Sequence, residues 1–245
     1  MTPPPASGGY GVPAGTALRA SGNLTVSTSG AVVDGLDVSG CIVVNAPNVT
    51  IRNTRVRGTC DLLVANNGGG LVLDHVELDG RGSSGTLGIG YDRFTVRNSY
   101  IHGVGDGIRA NGNVTVESSW ITDLAAGGGS HNDGIQVTAG SNIRIVGNRI
   151  ENSHTQTSAI LIGADQGSVS NVLVQGNTLA GGGYTLYGGA RPPAGNSIAN
   201  IVLKDNAFSR KYFASSGAYG PMTATDDSRI SVSGNVWEGT TTLVS

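Results

Sequence analysis

Two short segments with a shared pattern carry residue types suited to proton transfer. GDGIRA holds Asp106, and HNDGIQV holds His131 and Asp133. An imidazole titrates near neutral pH and a carboxylate can orient it, so His131 is expected to act as a general base beside Asp133 or Asp106. His102 or a tyrosine would then serve as the general acid. His102, His131 and His154 are all expected in the loops that lead into the strands carrying these two segments.

The same segments supply donors for a negatively charged group. Arg109 follows Asp106 by three positions and Gln136 follows Asp133 by three. With Asn132, these side chains are expected to hydrogen-bond a substrate anion. Further candidates for substrate contact come from later in the chain: His154, Tyr184, Tyr187, Arg191, Lys211 and Tyr212. A purely structural interpretation stays open, because the Asp of an Asp-Gly pair often only accepts backbone N–H bonds at a turn.

The elements that must position these residues are visible as a repeat. NVTIRNTRVRG from Asn48, NIRIVGNRIEN from Asn142 and RISVSGNVWEG from Arg229 are copies of one unit, which recurs every 18 to 29 residues from about Gly30 onward. Apolar and polar residues alternate in each copy, which is typical of strands, and no helical periodicity appears. Repeats of this length indicate a solenoid. We predict an all-β, single-stranded right-handed parallel β-helix of roughly eight to nine coils.

The repeat also predicts which side chains stack on one another. Asp106 should lie over Asp133, and Arg109 over Gln136, in adjacent coils. Four asparagines occur at intervals of 29 residues and should form a hydrogen-bonded ladder at one turn: Asn148, Asn177, Asn206 and Asn235.

The two cysteines fall at nearly equivalent positions of adjacent coils. Cys41 and Cys60 are 19 residues apart, and the repeats that contain them are offset by 18. Their expected Cα separation suits a disulfide, although two stacked reduced thiols remain the alternative. A disulfide would indicate an oxidising, extracellular setting.

Composition limits the classes of partner. Charged residues make up only 13% of the chain and the net charge is -2, so neither nucleic acid nor an anionic membrane surface is an expected partner. We expect a flexible Pro/Gly linker over residues 1–15 and one β-helix domain over residues 16–245, acting as a monomer. The N-terminus does not read as a signal peptide, although a leader could have been lost.

At GDGIRA, SHNDGIQV and SAILIG the sequence resembles the pectin-lyase-like β-helix superfamily, which includes polysaccharide lyases and polygalacturonase-type glycosidases. The resemblance implies a secreted, carbohydrate-active enzyme acting on an acidic, uronate-containing polysaccharide. Asp106 and Asp133 match two aspartates of the polygalacturonase pattern, whereas Asn132 and Ser158 stand in place of a carboxylate and a histidine. Because of these two departures, β-elimination is favoured over hydrolysis.

Three other functions remain open. An inverting glycoside hydrolase would use Asp106 and Asp133 as its acid and base. A uronan epimerase would remove the same proton without breaking the chain. A non-catalytic glycan-binding module would use neither. The resemblance also allows Ca²⁺ bound by Asp106 and Asp133 to neutralise the substrate carboxylate; otherwise no cofactor is expected.

Overall fold

The computed structural model describes residues 9–127 and 129–244, and within them the chain forms 26 strands. The first thirteen are β1 (Arg19–Ser21), β2 (Leu24–Val26), β3 (Val32–Asp34), β4 (Leu36–Ser39), β5 (Ile42–Val44), β6 (Thr50–Arg52), β7 (Arg55–Arg57), β8 (Leu62–Asn66), β9 (Leu71–Asp74), β10 (Glu77–Gly90), β11 (Asp92–Arg97), β12 (Tyr100–Arg109) and β13 (Gly112–Glu117). The others are β14 (Trp120–Ile121), β15 (Asp133–Val137), β16 (Gly140–Val146), β17 (Arg149–Asn152), β18 (Ser158–Ile162), β19 (Val169–Gln175), β20 (Thr178–Gly181), β21 (Tyr184–Tyr187), β22 (Ile198–Lys204), β23 (Ala207–Phe208), β24 (Gly220–Thr223), β25 (Ile230–Ser233) and β26 (Val236–Trp237).

The chain visits three faces in turn and pairs each strand in parallel with its counterpart one coil away. The first face begins with β1, β4 and β7, the second with β2, β5 and β8, and the third with β3, β6 and β9. The long strands β10 and β12 pass from the first face to the second, which joins those faces into one 17-stranded sheet. Among the described residues the third face has nine strands, and hence eight coil spacings. The predicted parallel β-helix is confirmed.

Columns of apolar side chains fill the space between the faces. On the second face the column runs through Ile108, Ile135 and Ile160, each paired with the next and each fully buried. Aliphatic side chains stacked about 4.8 Å apart leave little void, so each added coil extends the same core. This explains why β-branched residues recur at the inward positions.

The predicted asparagine ladder lies at the turn between the third and first faces. Asn148 donates its amide to Oδ1 of Asn177 at 3.0 Å, and this pattern continues through Asn206 to Asn235 at 2.9 Å per step. Each Oδ1 also accepts the backbone N–H of the preceding asparagine. Ser119 and Ser99 continue the ladder toward the N-terminus with their hydroxyl groups. The ladder therefore satisfies buried backbone groups that the tight turn leaves without strand partners.

The N-terminal region contains the predicted disulfide and part of the predicted linker. Cys41 and Cys60 are bonded, with Cα atoms 6.5 Å apart. Residues 1–8 of the predicted linker lie outside the described residues. The ring of Tyr10 lies 6.3 Å from that of Trp120, and Gly11 donates its N–H to the carbonyl oxygen of Asn98 at 2.7 Å. The start of the segment 9–15 therefore packs against the side of the β-helix.

Over the described ranges, no helix has the length and apolar character needed to cross a membrane.

Candidate functional site

The two Asp-Gly segments meet on the second face, where β12 and β15 are neighbours. Ile108 pairs with Ile135 and Arg109 with Gln136, so Asp106 and Asp133 lie in one column, as predicted. The backbone N–H of Asp133 donates to Oδ1 of Asp106 at 3.1 Å. The stacking register therefore brings together two carboxylates that are 27 residues apart in the chain.

The glycine after each aspartate is required by packing. A Cβ on Gly107 would overlap the carbonyl oxygen of Gly134, and a Cβ on Gly134 would overlap Cγ2 of Ile150. No side chain fits at either place without shifting a strand. Packing thus explains the glycine of each Asp-Gly pair. The role of each aspartate must be inferred from its own contacts.

Asp133 is completely buried, and its surroundings favour the protonated acid. Burial, with a smaller contribution from the neighbouring charge of Asp106, raises the pKa of its carboxyl group to about 6. The Ser158 hydroxyl opposes this shift by donating to Oδ1 at 2.6 Å, and the Gln136 amide donates to Oδ2 at 3.1 Å. A carboxyl group with this pKa can accept or release a proton near neutral pH.

Asp106 is paired with a cation that remains accessible. Arg109 donates from Nη2 to Oδ2 of Asp106 at 3.1 Å, and 36% of the Arg109 side chain is exposed. The Nε atom of Arg109 is buried and has no hydrogen-bond partner among the described residues. Each carboxylate is thus contacted by the side chain three positions later in its own strand, and Arg109 brings a positive charge to the surface beside the pair.

Asn132 precedes the buried aspartate and holds the surrounding loops together. It is buried, and its amide donates to the carbonyl oxygens of Gly105 and Ala125. Its backbone carbonyl oxygen accepts from the Asn152 amide at 2.7 Å. All these contacts are internal. The Asn132 side chain therefore has no free surface with which to make the predicted contact with substrate.

The three predicted site histidines differ in their surroundings. His131 is exposed and makes no side-chain hydrogen bond within the described part of the chain. His154 contacts the carbonyl oxygen of Leu124 at 2.7 Å through Nε2. His102 belongs to the first face, where its ring stacks on Tyr100 at 4.2 Å and lies 3.3 Å from Glu77. The expectation that His102 lies in a loop feeding the second face is wrong, because it precedes the bend of β12.

A surface cavity of about 370 Å³ adjoins these loops. It lies beside Asn132, where the loops that follow β14 and β17 face one another. Its lining consists of Ala126, Gly127, Gly129, Ser130, Asn132, His154, Thr155 and Gln156. It provides a polar recess next to the aspartate pair.

The later candidates separate into two groups. Tyr184 and Tyr187 lie on β21, two coils from Asp133, with their rings 5.7 Å apart. Burial raises the pKa of the Tyr187 hydroxyl, and the charge of Asp133 adds to this effect. Arg191, in contrast, is an exposed side chain paired with Asp226 at 2.6 Å.

Lys211 forms an ion pair within the protein. Its Nζ atom donates to Oε2 of Glu151 at 2.7 Å, and it also lies over the ring of Tyr212 at 5.0 Å. Glu151 is completely buried and is also bound by Arg149 at 2.6 Å. Sequence reasoning missed Glu151, because no motif marked it and its partner Lys211 lies 60 residues away in the chain.

The donor set does not suit Ca²⁺. The oxygens of Asp106 already accept from a backbone N–H and from Arg109, whose positive charge would repel a cation. Within residues 9–127 and 129–244, no group of three or more His, Cys, Asp or Glu side chains is placed to hold a metal ion.

Comparison with known proteins agrees with this architecture. The family model described as right handed beta helix region matches residues 39–201, which is more than half of the chain. The chain therefore belongs to that family. Neither the curated proteins nor the solved structures gave a match. Members of the family include polysaccharide-degrading enzymes and proteins without enzymatic activity.

Proposed function

We propose that this member of the right-handed β-helix family is a secreted, monomeric, carbohydrate-active enzyme that cleaves an acidic, uronate-containing polysaccharide by β-elimination. One observation carries the proposal: Asp133, a buried carboxyl group with a pKa of about 6, lies in the same cluster as the accessible guanidinium of Arg109. The fold and the Cys41–Cys60 disulfide are compatible with a secreted enzyme of this class.

The proposed reaction assigns one task to each group. Arg109 binds the uronate carboxylate and thereby makes the adjacent C–H bond more acidic. The carboxylate of Asp133 removes that proton, the bond to the glycosidic oxygen breaks, and a double bond forms in the ring. Tyr187 protonates the leaving oxygen, since its raised pKa keeps its hydroxyl protonated at neutral pH. Asp133 takes the role of base that the sequence suggested for His131.

Substrate reaches Asp133 through a local rearrangement. The Gln136 amide covers Oδ2 with a single hydrogen bond, and its side chain is only half-buried. In the proposed reaction that amide rotates toward the substrate and uncovers Oδ2. The proposal therefore requires Gln136 to exchange an internal contact for a substrate contact.

Inverting hydrolysis fits this geometry less well. Asp106 and Asp133 belong to adjacent coils, about 4.8 Å apart, whereas an inverting pair needs about 6.5–9.5 Å to admit a water molecule.

Asp133→Asn provides the decisive test of the proposed chemistry. The protein is incubated with polygalacturonate, alginate and other uronate polymers, with and without EDTA, while ultraviolet absorbance and reducing ends are followed. Wild-type protein should generate the absorbance of an unsaturated uronate in the presence of EDTA, and Asp133→Asn should lose at least about 10²-fold in rate. Asp226→Asn, which changes an exposed carboxylate, is the matched control and should keep the wild-type rate.

Other results would change the assignment. New reducing ends without the absorbance would replace elimination by hydrolysis. Equal rates for wild type and Asp133→Asn would remove Asp133 from the reaction, and the His131→Ala variant would then test the base suggested by the sequence.

A second candidate function is a glycan-binding module without catalysis. The complete burial of Asp133 favours it, because a carboxyl group enclosed by Ser158 and Gln136 also serves simply to join adjacent coils. Retained binding of uronate polymers without any cleavage would support this candidate.

A further inference from the structure

Three tyrosine rings lie next to one another on the second face, on the C-terminal side of the aspartate pair. Tyr184 lies 5.7 Å from Tyr187 and 5.9 Å from Tyr219, measured between ring centroids. Tyr219 is 71% exposed, the largest exposure among the exposed large hydrophobic residues of the described chain. An exposed aromatic ring beside two half-buried ones forms an amphipathic surface with a polar hydroxyl at each edge.

Glycines allow two of the rings to approach the backbone closely. A Cβ on Gly183 would lie 3.4 Å from two ring carbons of Tyr219, and a Cβ on Gly220 would lie 3.2 Å from the ring of Tyr184. Any larger residue at Gly220 would press on Tyr184, and its φ of +147° also favours glycine. The absence of side chains at Gly183 and Gly220 therefore creates the space that these two rings occupy.

The loop that carries Tyr219 is fixed at both ends. Residues 209–219 join β23 on the first face to β24 on the second. Lys211 ties the start of the loop to buried Glu151 at 2.7 Å. Near its end, the Tyr219 N–H donates to the carbonyl oxygen of Gly183 at 2.7 Å, and the Ser216 hydroxyl bonds that of Thr185 at 2.9 Å. Tyr219 is thus held in position before any ligand arrives, which lowers the entropy lost on binding.

The register gives the distance from this surface to Asp133. Asp133 pairs with Ser158 on β18, and β18 pairs with β21, which begins at Tyr184. Tyr184 in turn pairs with Gly220, the residue that follows Tyr219, so Tyr184 lies two coils and Tyr219 three coils from Asp133. At about 4.8 Å per coil, Tyr184 lies about 10 Å from Asp133 and Tyr219 about 14 Å away. A pyranose residue extends a glycan by about the same length as one coil, so these distances correspond to two or three sugar residues.

We infer that Tyr219 and Tyr184 form a remote subsite that binds the C–H face of a pyranose residue, two to three residues along the glycan from the bond at Asp133 and toward the C-terminal end of the β-helix. The assignment rests on the proposed function for the position of the reacting bond. Binding of the sugar at this subsite does not require the proposed reaction, because a ring face recognises a sugar whether or not the sugar is cleaved.

Tyr219→Ala tests the subsite, with Tyr219→Phe and Tyr91→Ala as matched controls. Tyr91 is 45% exposed and lies between β10 and β11, outside the tyrosine cluster. Oligouronides from dimer to hexamer serve as kinetic substrates. Binding to polygalacturonate, alginate and a neutral β-glucan is measured by affinity electrophoresis and calorimetry.

Tyr219→Ala should raise KM for the hexamer about five- to tenfold, with kcat and the turnover of dimers unchanged. Tyr219→Phe keeps the ring and should retain at least half of the affinity, and Tyr91→Ala should match wild type. Equal affinity and KM for Tyr219→Ala and wild type on every glycan would overturn the subsite. An equal loss on dimers and hexamers would overturn its remoteness from the reacting bond.

The two proposals fail separately. If wild type binds a glycan without cleaving it and Tyr219→Ala loses that binding, the subsite stands and the elimination reaction falls. If wild type cleaves uronates and Tyr219→Ala behaves identically, only the subsite falls. If wild type neither binds nor cleaves any of the glycans, both are refuted.

Discussion

Replacing Asp133 by asparagine should remove a pH-dependent loss of stability. Burial raises the pKa of Asp133 from 3.8 to about 6, so the folded protein resists ionisation of this group more than the unfolded chain does. The stabilising contribution of the protonated acid is fully present below about pH 4 and is lost as the pH rises through about 6. At about 1.4 kcal/mol per tenfold change in acidity, the loss amounts to about 3 kcal/mol.

The asparagine side chain of the Asp133→Asn variant is neutral at every pH, and the contacts of the site can be conserved around it. Its carbonyl oxygen accepts from the Ser158 hydroxyl, and the carbonyl oxygen of a flipped Gln136 amide accepts from its NH₂ group. The difference in the free energy of unfolding between Asp133→Asn and wild type should therefore grow by about 3 kcal/mol in favour of the variant between about pH 4 and about pH 8.

Urea unfolding of both proteins across this pH range, followed by circular dichroism and tryptophan fluorescence, gives the difference directly. Other titrating groups are common to both proteins and cancel when they are distant from the site. Asp226→Asn, which changes an exposed carboxylate paired with exposed Arg191, should change by less than about 0.5 kcal/mol over the range. The reasoning would be refuted if the difference in unfolding free energy between Asp133→Asn and wild type changed by less than about 0.5 kcal/mol between about pH 4 and about pH 8. Such a result would mean that burial does not oppose ionisation of the Asp133 carboxyl group.

Three further outcomes are expected. If Asp133 is the base, kcat/KM on a uronate polymer should rise about tenfold per pH unit below about pH 6 and level off above it, and a falling limb with the same midpoint would identify a general acid instead. Asn177→Ala should lower the free energy of unfolding by about 3 kcal/mol, because it leaves buried polar groups in both neighbouring coils without a hydrogen-bond partner. Asn171→Gly should cost less than about 1 kcal/mol, because the exposed Asn171 side chain bonds only those of Asn142 and Asn200 among the described residues, and its φ of 54° is one that glycine adopts readily. Replacing both Cys41 and Cys60 by Ala should cost about 2–4 kcal/mol in denaturant unfolding, and an unchanged midpoint would contradict a stabilising disulfide.

The repeat made much of the architecture predictable. Parallel coils require the same inward and outward alternation at the same place in each turn, so identical spacing along the chain becomes vertical stacking in space. The 29-residue interval therefore located the Asn148 to Asn235 ladder, and the matching offsets located the Cys41–Cys60 disulfide. The same rule placed Asp106 over Asp133 and Arg109 over Gln136.

The loops between the first and second faces escaped this rule because their lengths vary from coil to coil. The repeat predicted His102 in a loop before the second face, yet the chain bends only after it, and its ring packs on Tyr100. Lys211 was expected to meet a substrate, but the loop of residues 209–219 folds back over the first face and delivers it to Glu151.

The sequence by itself therefore determined the fold, the stacking register and the pairing of the two aspartates, because each follows from periodicity along the chain. Only the tertiary structure decided that Asp133 is enclosed while His131 is exposed, and that Tyr219 joins Tyr184 at the surface. Burial and hence pKa depend on side chains contributed by other coils and by non-repeating loops. Such contacts are a property of the assembled solenoid, and no local pattern encodes them.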